Sequence, residues 1–318
     1  MISVAPMMDW TDRHCRFFMR LLNPFALLYT EMVTAAAVVH GDADRFLRFN
    51  EEEHPVALQL GGSDASWMAH ATAQAVRHGY DEININVGCP SDRVQSGQFG
   101  ACLMAYPERV AECFAAMQKE ADVPVSVKSR IGIDERDDYA FLRHFVEIVA
   151  AAGCRKFVVH ARVAILEGLS PKENRSIPPL HYEHVYRLKA DYPELEIVIN
   201  GGFSSVAQVD EALGHVDGVM IGRQAYHVPY FLAELAAHLD PTWPTPSRSD
   251  VVEQMLPYID RELAKGATLN SISRHMLGLF SGRPGARAWR RYISEHAHLE
   301  GAGGEVLVNA INAMPAAA

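Results

Sequence analysis

Two periodicities divide this chain. Short apolar, β-branched runs at residues 2–5, 26–30, 56–60, 82–86, 125–128, 156–160, 196–200 and 218–221 alternate with stretches of helical spacing such as 67–77, 108–120, 140–151 and 206–214. The first pattern predicts buried strands, the second amphipathic helices. Strands that alternate with helices predict a parallel sheet, because parallel neighbours need long crossover connections. Eight such units over this length favour a closed TIM (β/α)8 barrel; an open doubly wound sheet is the other arrangement the alternation allows.

The pattern changes after about residue 235. Residues 240–250 are rich in proline and polar side chains and read as a linker, with Ser249 or Asp250 able to cap a following helix. Beyond them only helical spacing is found. The expected organisation is a barrel domain over 1–239, a linker over 240–250 and a small all-helical domain over 251–318, the last three alanines being a frayed tail.

Composition narrows the class. The 318 residues are 49% hydrophobic and 21% charged, as in a globular protein, and no run is apolar enough to span a membrane. A formal net charge of -10 means that any nucleic-acid contact must come from a local basic patch. The five cysteines are scattered without a C-x-x-C pair, which argues against a disulfide framework and a zinc site. The opening residues lack a basic stretch followed by an apolar core, so a cytoplasmic setting is expected.

In a barrel, chemistry gathers at the carboxyl ends of the strands. Those positions hold Pro6, Met7 and Met8, then Glu31, Gln59, Asn86 with Cys89, Lys128 with Arg130, His160 with Arg162, Asn200-Gly201-Gly202, and Gly222-Arg223. Polar ends on apolar strands point to an enzyme rather than a scaffold. The last two loops suit a phosphate: glycines admit an anion close to backbone amides, helix starts favour negative charge, and Arg223 adds a forked donor. No dinucleotide fingerprint or Walker loop occurs, so a mononucleotide is preferred. Gln59, Lys128 and His160 would serve a flavin ring, an ammonium stabilising its anionic reduced form. Lys128 could equally form a Schiff base in a barrel aldolase, and a strand-end histidine is often merely hydrogen-bonded. His181 and His184 lack an obvious third ligand, so no metal is expected.

Cys89 stands on a tight Gly-Cys-Pro loop after a strand, where it could be a nucleophile, a redox thiol or a proton donor. An ordinary thiol, with a pKa of about 8.5, is mostly protonated near neutrality and can act as a general acid. Cys15, Cys113 and Cys154 read as core packing, and Cys102 as structural near the loop.

Taken together, Ala5-Pro-Met-Met-Asp-Trp-Thr-Asp-Arg13, Asn84-Ile-Asn-Val-Gly-Cys-Pro-Ser91, Gly100-Ala-Cys-Leu103, Val127-Lys-Ser-Arg-Ile-Gly132, His160-Ala-Arg162, Asn200-Gly-Gly202 and Gly222-Arg223 resemble the tRNA-dihydrouridine synthase family, in order and across the whole barrel. The stretch from Gly168 to Pro179 resembles the family's A-type bacterial subfamily, which modifies uridines 20 and 20a of the tRNA D-loop. The resemblance implies FMN held by Pro6, Met7, Met8, Gln59, Lys128, His160, Asn200, Gly201, Gly202, Gly222 and Arg223. It implies Cys89 as catalytic acid, Asn86 on a flipped-out uridine, and Lys172 and Arg175 on tRNA. Gly285-Ala-Arg287-Ala-Trp-Arg290-Arg291 resembles the subfamily's RNA-contacting segment, with Arg287 and Arg290 on one helix face. A basic groove of Lys172, Arg175, Arg274, Arg283, Arg287, Arg290 and Arg291 would then offset the cost of extruding a base; without the resemblance those arginines read equally as a solvated face.

The implied reaction is reduction of the uracil C5–C6 double bond, with hydride to C6 from reduced FMN, a proton to C5 from Cys89, and NADPH as the electron source. No metal, membrane or obligate protein partner is implied. The rivals are an FMN-dependent small-molecule pyrimidine reductase or dehydrogenase, a Schiff-base aldolase, and a non-catalytic tRNA-binding protein.

Overall fold

A computed structural model describes residues 1–91 and 97–315; residues 316–318, read above as a frayed tail, lie outside them. Eight strands, β1 (Ile2–Val4), β2 (Leu27–Thr34), β3 (Val56–Gly61), β4 (Glu82–Val87), β5 (Val125–Arg130), β6 (Lys156–His160), β7 (Glu196–Asn200) and β8 (Gly218–Ile221), form one closed barrel in sequence order. All pairs are parallel, and β8 returns to β1 through Ile2↔Val219 and Val4↔Ile221. Closure excludes the open doubly wound sheet. Strands β6 to β8 have the predicted bounds; β2 runs on to Thr34 through a register shift between Tyr29 and Met32. That irregularity breaks the two-residue alternation, so the continuation is hidden in the sequence.

The crossovers carry the predicted helices, among them Ala65–His78, Pro107–Glu120, Tyr139–Ala151 and Val206–Leu213. Asp64, Asp138 and Ser205 start three of them, each accepting a backbone N–H of the first turn. Proline opens the fourth, where a missing N–H costs nothing.

The barrel interior is divided by chemistry. On one side Ala5, Leu27, Tyr29, Ala57, Val158, Val198 and Met220 form an apolar cluster. On the other, β4 alternates Glu82, Asn84 and Asn86 with Ile83, Ile85 and Val87, and all six are buried. Successive strand residues face opposite sides, so the polar trio shares one face with its hydrogen-bond partners Gln59 of β3 and Ser126 of β5.

Contacts group the chain into two compact units: residues 1–8 with 27–222, and residues 9–26 with the chain from Arg223 onward. The second unit is helical, including Arg13–Leu22, Phe231–Leu239, Arg248–Leu263 and Ala286–His296. Phe17 stacks on Tyr258 at 3.8 Å between ring centroids, and fully buried Trp289 donates its indole N–H to Met276 O at 3.1 Å. Asp12 joins the two chain pieces. Its Oδ1 caps the Arg13–Leu22 helix by accepting from His14 N and Cys15 N, while Oδ2 accepts from Arg274 at 2.7 Å and faces His275 Nε2 at 3.1 Å. Burial opposes the Asp12 charge, but these partners outweigh it and hold the carboxyl well below the usual range. The buried Glu262 carboxylate similarly pairs with Arg13 and Lys265.

His14 carries a pH dependence. Burial first, then the Arg13 charge, lowers its imidazole to about 4, and Nδ1 lies 2.6 Å from the Tyr258 hydroxyl. A histidine that is neutral when folded and protonates when unfolded makes stability fall as pH drops from the unfolded pKa toward the folded one. We expect a loss of roughly 3 kcal/mol between about pH 6.5 and 4 from this residue, at 1.36 kcal/mol per pKa unit. Urea unfolding across that range should show a shallower pH slope in His14→Gln than in the parent chain.

Candidate active site

Hydrogen bonds of one direction run through the polar half of the barrel. At the amino-terminal ends of the strands, Glu82 is held by Lys156 at 2.8 Å, and Lys156 also reaches Glu196 at 3.1 Å. Burial opposes the Lys156 charge, but the two carboxylates outweigh it and raise its pKa. Glu82 Oε1 accepts the hydroxyls of Tyr29 and Ser126, each at 2.5 Å. Asn84 Nδ2 donates to Ser126 Oγ at 2.8 Å, Gln59 Nε2 to Asn84 Oδ1 at 2.8 Å, and Asn86 Nδ2 to Gln59 Oε1 at 2.7 Å. The chain ends on the loop after β4, where Asn86 Oδ1 accepts from Gly88 N at 3.2 Å and Cys89 N at 3.0 Å. Every donor points toward the Glu82 carboxylate, so the orientation of each amide follows from its neighbour, and each bond polarises the next.

Half-buried Cys89 is thereby fixed by its own backbone. Its N–H is held by Asn86, its carbonyl accepts from Ala101 N at 2.9 Å, and Sγ lies 3.4 Å from Ser91 Oγ. Nearby Cys102 directs its thiol to Phe99 O at 3.1 Å, and burial pushes that thiol's pKa up.

Lys128 is level with Asn86 in the β4–β5 register and donates to Asn200 Oδ1 at 3.3 Å. Asn200 in turn donates to Met220 O at 2.8 Å. Burial, with the Arg130 guanidinium adding to it, brings the Lys128 ammonium down to about 7. The side chain is half-buried. Burial and the neighbouring Arg162 and Arg175 bring Arg130 down to about 10.

His160 lies opposite Arg130 on one side and Asn200 on the other. A Cβ at Gly201 would come 2.8 Å from Leu180 Cδ2 and 3.0 Å from His160 Cδ2, and φ at Gly201 and Gly202 is +129° and +77°. Only glycine accommodates both demands, and it leaves bare backbone beside the imidazole. Tyr182 anchors the turn by donating to Gly201 O at 2.5 Å.

The structure thus brings together Gln59, Asn86 and Cys89, joins Lys128 to Asn200, and sets His160 against Gly201. Met7 packs against the apolar barrel cluster and Met8 is exposed. Gly222 follows β8, and Arg223 begins the next helix. Lys172 and Arg175 are exposed on either side of buried Asn174. Arg287, Arg290 and Arg291 are exposed on the helix that buries Trp289 and Ile293. Arg274 is committed to Asp12. Among the described residues no cluster of His, Cys, Asp or Glu could hold a metal, and no helix is long and apolar enough to cross a membrane.

Sequence reasoning left Glu82, Asn84, Ser126 and Asn174 without roles. A signal was present in β4: polar residues at every second position of a strand that must be buried on both faces require partners inside the barrel.

Comparison with known proteins gives a consistent result. Residues 3–315 match the family described as Dihydrouridine synthase (Dus). The tRNA-dihydrouridine(20/20a) synthase of Shewanella oneidensis is 60% identical over 306 residues, covering 96% of this chain and 91% of that protein. Proteins of the same name from Vibrio parahaemolyticus and Synechocystis sp. are 58% and 57% identical, covering 99% and 98% of this chain and 97% and 94% of theirs.

Replacing Asn84 severs the buried chain in the middle. Asn84→Leu leaves Gln59 without its acceptor and Ser126 without a donor, at an expected cost of about 2–4 kcal/mol in denaturant unfolding.

Proposed function

We propose, for a chain that belongs to the dihydrouridine synthase family, that it reduces the C5–C6 double bond of uridine in tRNA to 5,6-dihydrouridine at D-loop positions 20 and 20a. Near-full-length likeness to tRNA-dihydrouridine(20/20a) synthases supports the substrate. The observation that carries the chemistry is the Cys89 loop, a half-buried thiol on a backbone held by Asn86 at a barrel strand end.

The residues fit FMN. Burial, with the Arg130 charge beside it, depresses the Lys128 pKa, and an anionic ring or phosphate would restore its proton. Bare backbone at Gly201 and Gly202 allows close approach, and Gly222 and Arg223 suit a phosphate. Pro6, Met7, Met8, Gln59, His160 and Asn200 complete the set. Bound FMN supplies the hydride chemistry, with NADPH as the source of its electrons.

The chain's own part is proton delivery and positioning. Uracil is polarised by its C4 carbonyl, so a proton is needed at C5 as C6 is reduced. Cys89 gives its thiol proton to C5, and the thiolate recovers one from solvent. Asn86 has one amide hydrogen beyond its bond to Gln59 with which to orient the base. Lys172, Arg175, Arg287 and Arg290 are exposed and hold phosphates, offsetting the few kcal/mol lost on unstacking the base. Those exposed arginines favour folded RNA over a free pyrimidine. The setting we infer is the cytoplasm, where tRNA is matured, and the five free cysteines agree with it.

Cys89→Ala should keep a normal flavin absorbance spectrum and NADPH oxidation while tRNA reduction falls by about 10²–10⁴-fold. Full turnover by that variant would remove the thiol from the mechanism.

FMN binding should also depend on pH through Lys128. The bound anion favours the ammonium, so affinity is highest below about pH 7 and weakens as pH rises above it. The decline is at most about tenfold per pH unit. Flavin fluorescence titration should show this slope in the parent chain and a flat profile in Lys128→Met.

A further inference from the structure

We propose that Arg130 is a positioning residue that fastens the Cys89 loop to the segment bearing Lys172 and Arg175, so that RNA held by that segment and the proton donor share one frame. The inference rests on the tRNA-reducing function proposed above.

Arg130 is 3% exposed and donates to three carbonyls from three separate stretches of chain. Nε reaches Gly88 O at 3.1 Å, and Nη1 reaches Val163 O at 3.0 Å and Asn174 O at 2.9 Å. Gly88 is therefore gripped twice, its N–H by Asn86 and its carbonyl by Arg130. It also lies flat on β5: a Cβ there would stand 3.4 Å from Ser129 C and 3.6 Å from Arg130 Cγ.

The far end is equally organised. Asn174 is fully buried and ties its own loop together, with Nδ2 donating to Ile165 O at 2.8 Å and Leu169 O at 3.2 Å, and Oδ1 accepting from Ile165 N at 2.8 Å. Exposed Lys172 and Arg175 flank it at two residues before and one after. A phosphate bound there is thus a short, stiff path from Asn174 O, through one guanidinium, to Gly88 and Cys89.

A stabilising role alone accounts poorly for this residue. Among the described residues no carboxylate pairs with it, and a buried cation satisfied by carbonyls is costlier than a methionine of similar size. Its planar fork spreads its donors over several nitrogens in a fixed geometry, which the single ammonium nitrogen of a lysine does not reproduce.

The test uses flavin-loaded protein reduced with NADPH, then mixed with unmodified tRNA in H₂O and in D₂O. The parent chain reports on the function itself: no reoxidation by tRNA would reject that reading. In Arg130→Lys and Arg130→Met, we expect normal reduction by NADPH and tRNA affinity within about threefold. Reoxidation by tRNA should slow by about 10- to 100-fold, the effect of a displaced reacting group. The solvent isotope effect on that step should rise, because proton transfer has become limiting. Asn174→Ala keeps the main-chain acceptor but unties the loop that aims it, and should slow reoxidation likewise. A parent-like reoxidation rate in Arg130→Lys overturns the proposal, as does a slower rate with an unchanged isotope effect. Should the Arg130 variants fail to hold flavin, Asn174→Ala decides by the same two readings.

Discussion

A polar side chain enclosed in a barrel must be paired, and most of what this protein can do rests on that requirement. Asn86, Gln59, Asn84 and Ser126 form a single-file chain that ends on the Glu82 carboxylate. Each member has one partner above and one below, so none can rotate without orphaning a neighbour. The carboxylate sets the sense of the chain, and the sense is passed through three amides to the N–H groups of Gly88 and Cys89. The thiol at the strand end owes its place to an ion pair near the opposite ends of the strands, Glu82 with Lys156.

The apolar half of the barrel has the complementary task. Val158, Val198 and Met220 pack with Ala57 and the ring of Tyr29, and only the Tyr29 hydroxyl reaches out of the cluster, to Glu82. Burial, with the Arg130 charge adding to it, brings the Lys128 ammonium down to about 7. In the helical unit the same economy is centred on Asp12, which caps one helix with one oxygen and receives Arg274 and His275 with the other. A single carboxylate thereby joins two pieces of chain some 260 residues apart.

Much of this was legible beforehand, for a physical reason. Strand and helix periodicities are local, so eight β/α units could be read off the hydrophobic pattern. That count already favours a closed barrel, but the register of closure, Ile2 against Val219, joins strands at opposite ends of the barrel sequence and is not local. The candidate residues at the strand ends stood out because a polar group ending an apolar run is itself a local signal. Arg130 was visible at such an end, but its role was not, since its three acceptors lie on the loops of other strands. The roles of Glu82, Asn84 and Ser126 are not legible in the residue order, because pairing, unlike periodicity, requires the partner to be known.

The amino-acid order alone determined the succession of elements, the thiol on its Gly-Cys-Pro loop, the glycines that must take positive φ, and the family to which the chain is similar. These follow from backbone sterics and near-neighbour patterning, which operate within a few residues. Tertiary structure alone decided which residues meet where the sheet closes, that residues 9–26 pack with the chain after Arg223, and that two buried grips, Asn86 and Arg130, share Gly88. Those depend on which distant groups meet, and hydrogen bonds and ion pairs take their direction and strength from that meeting.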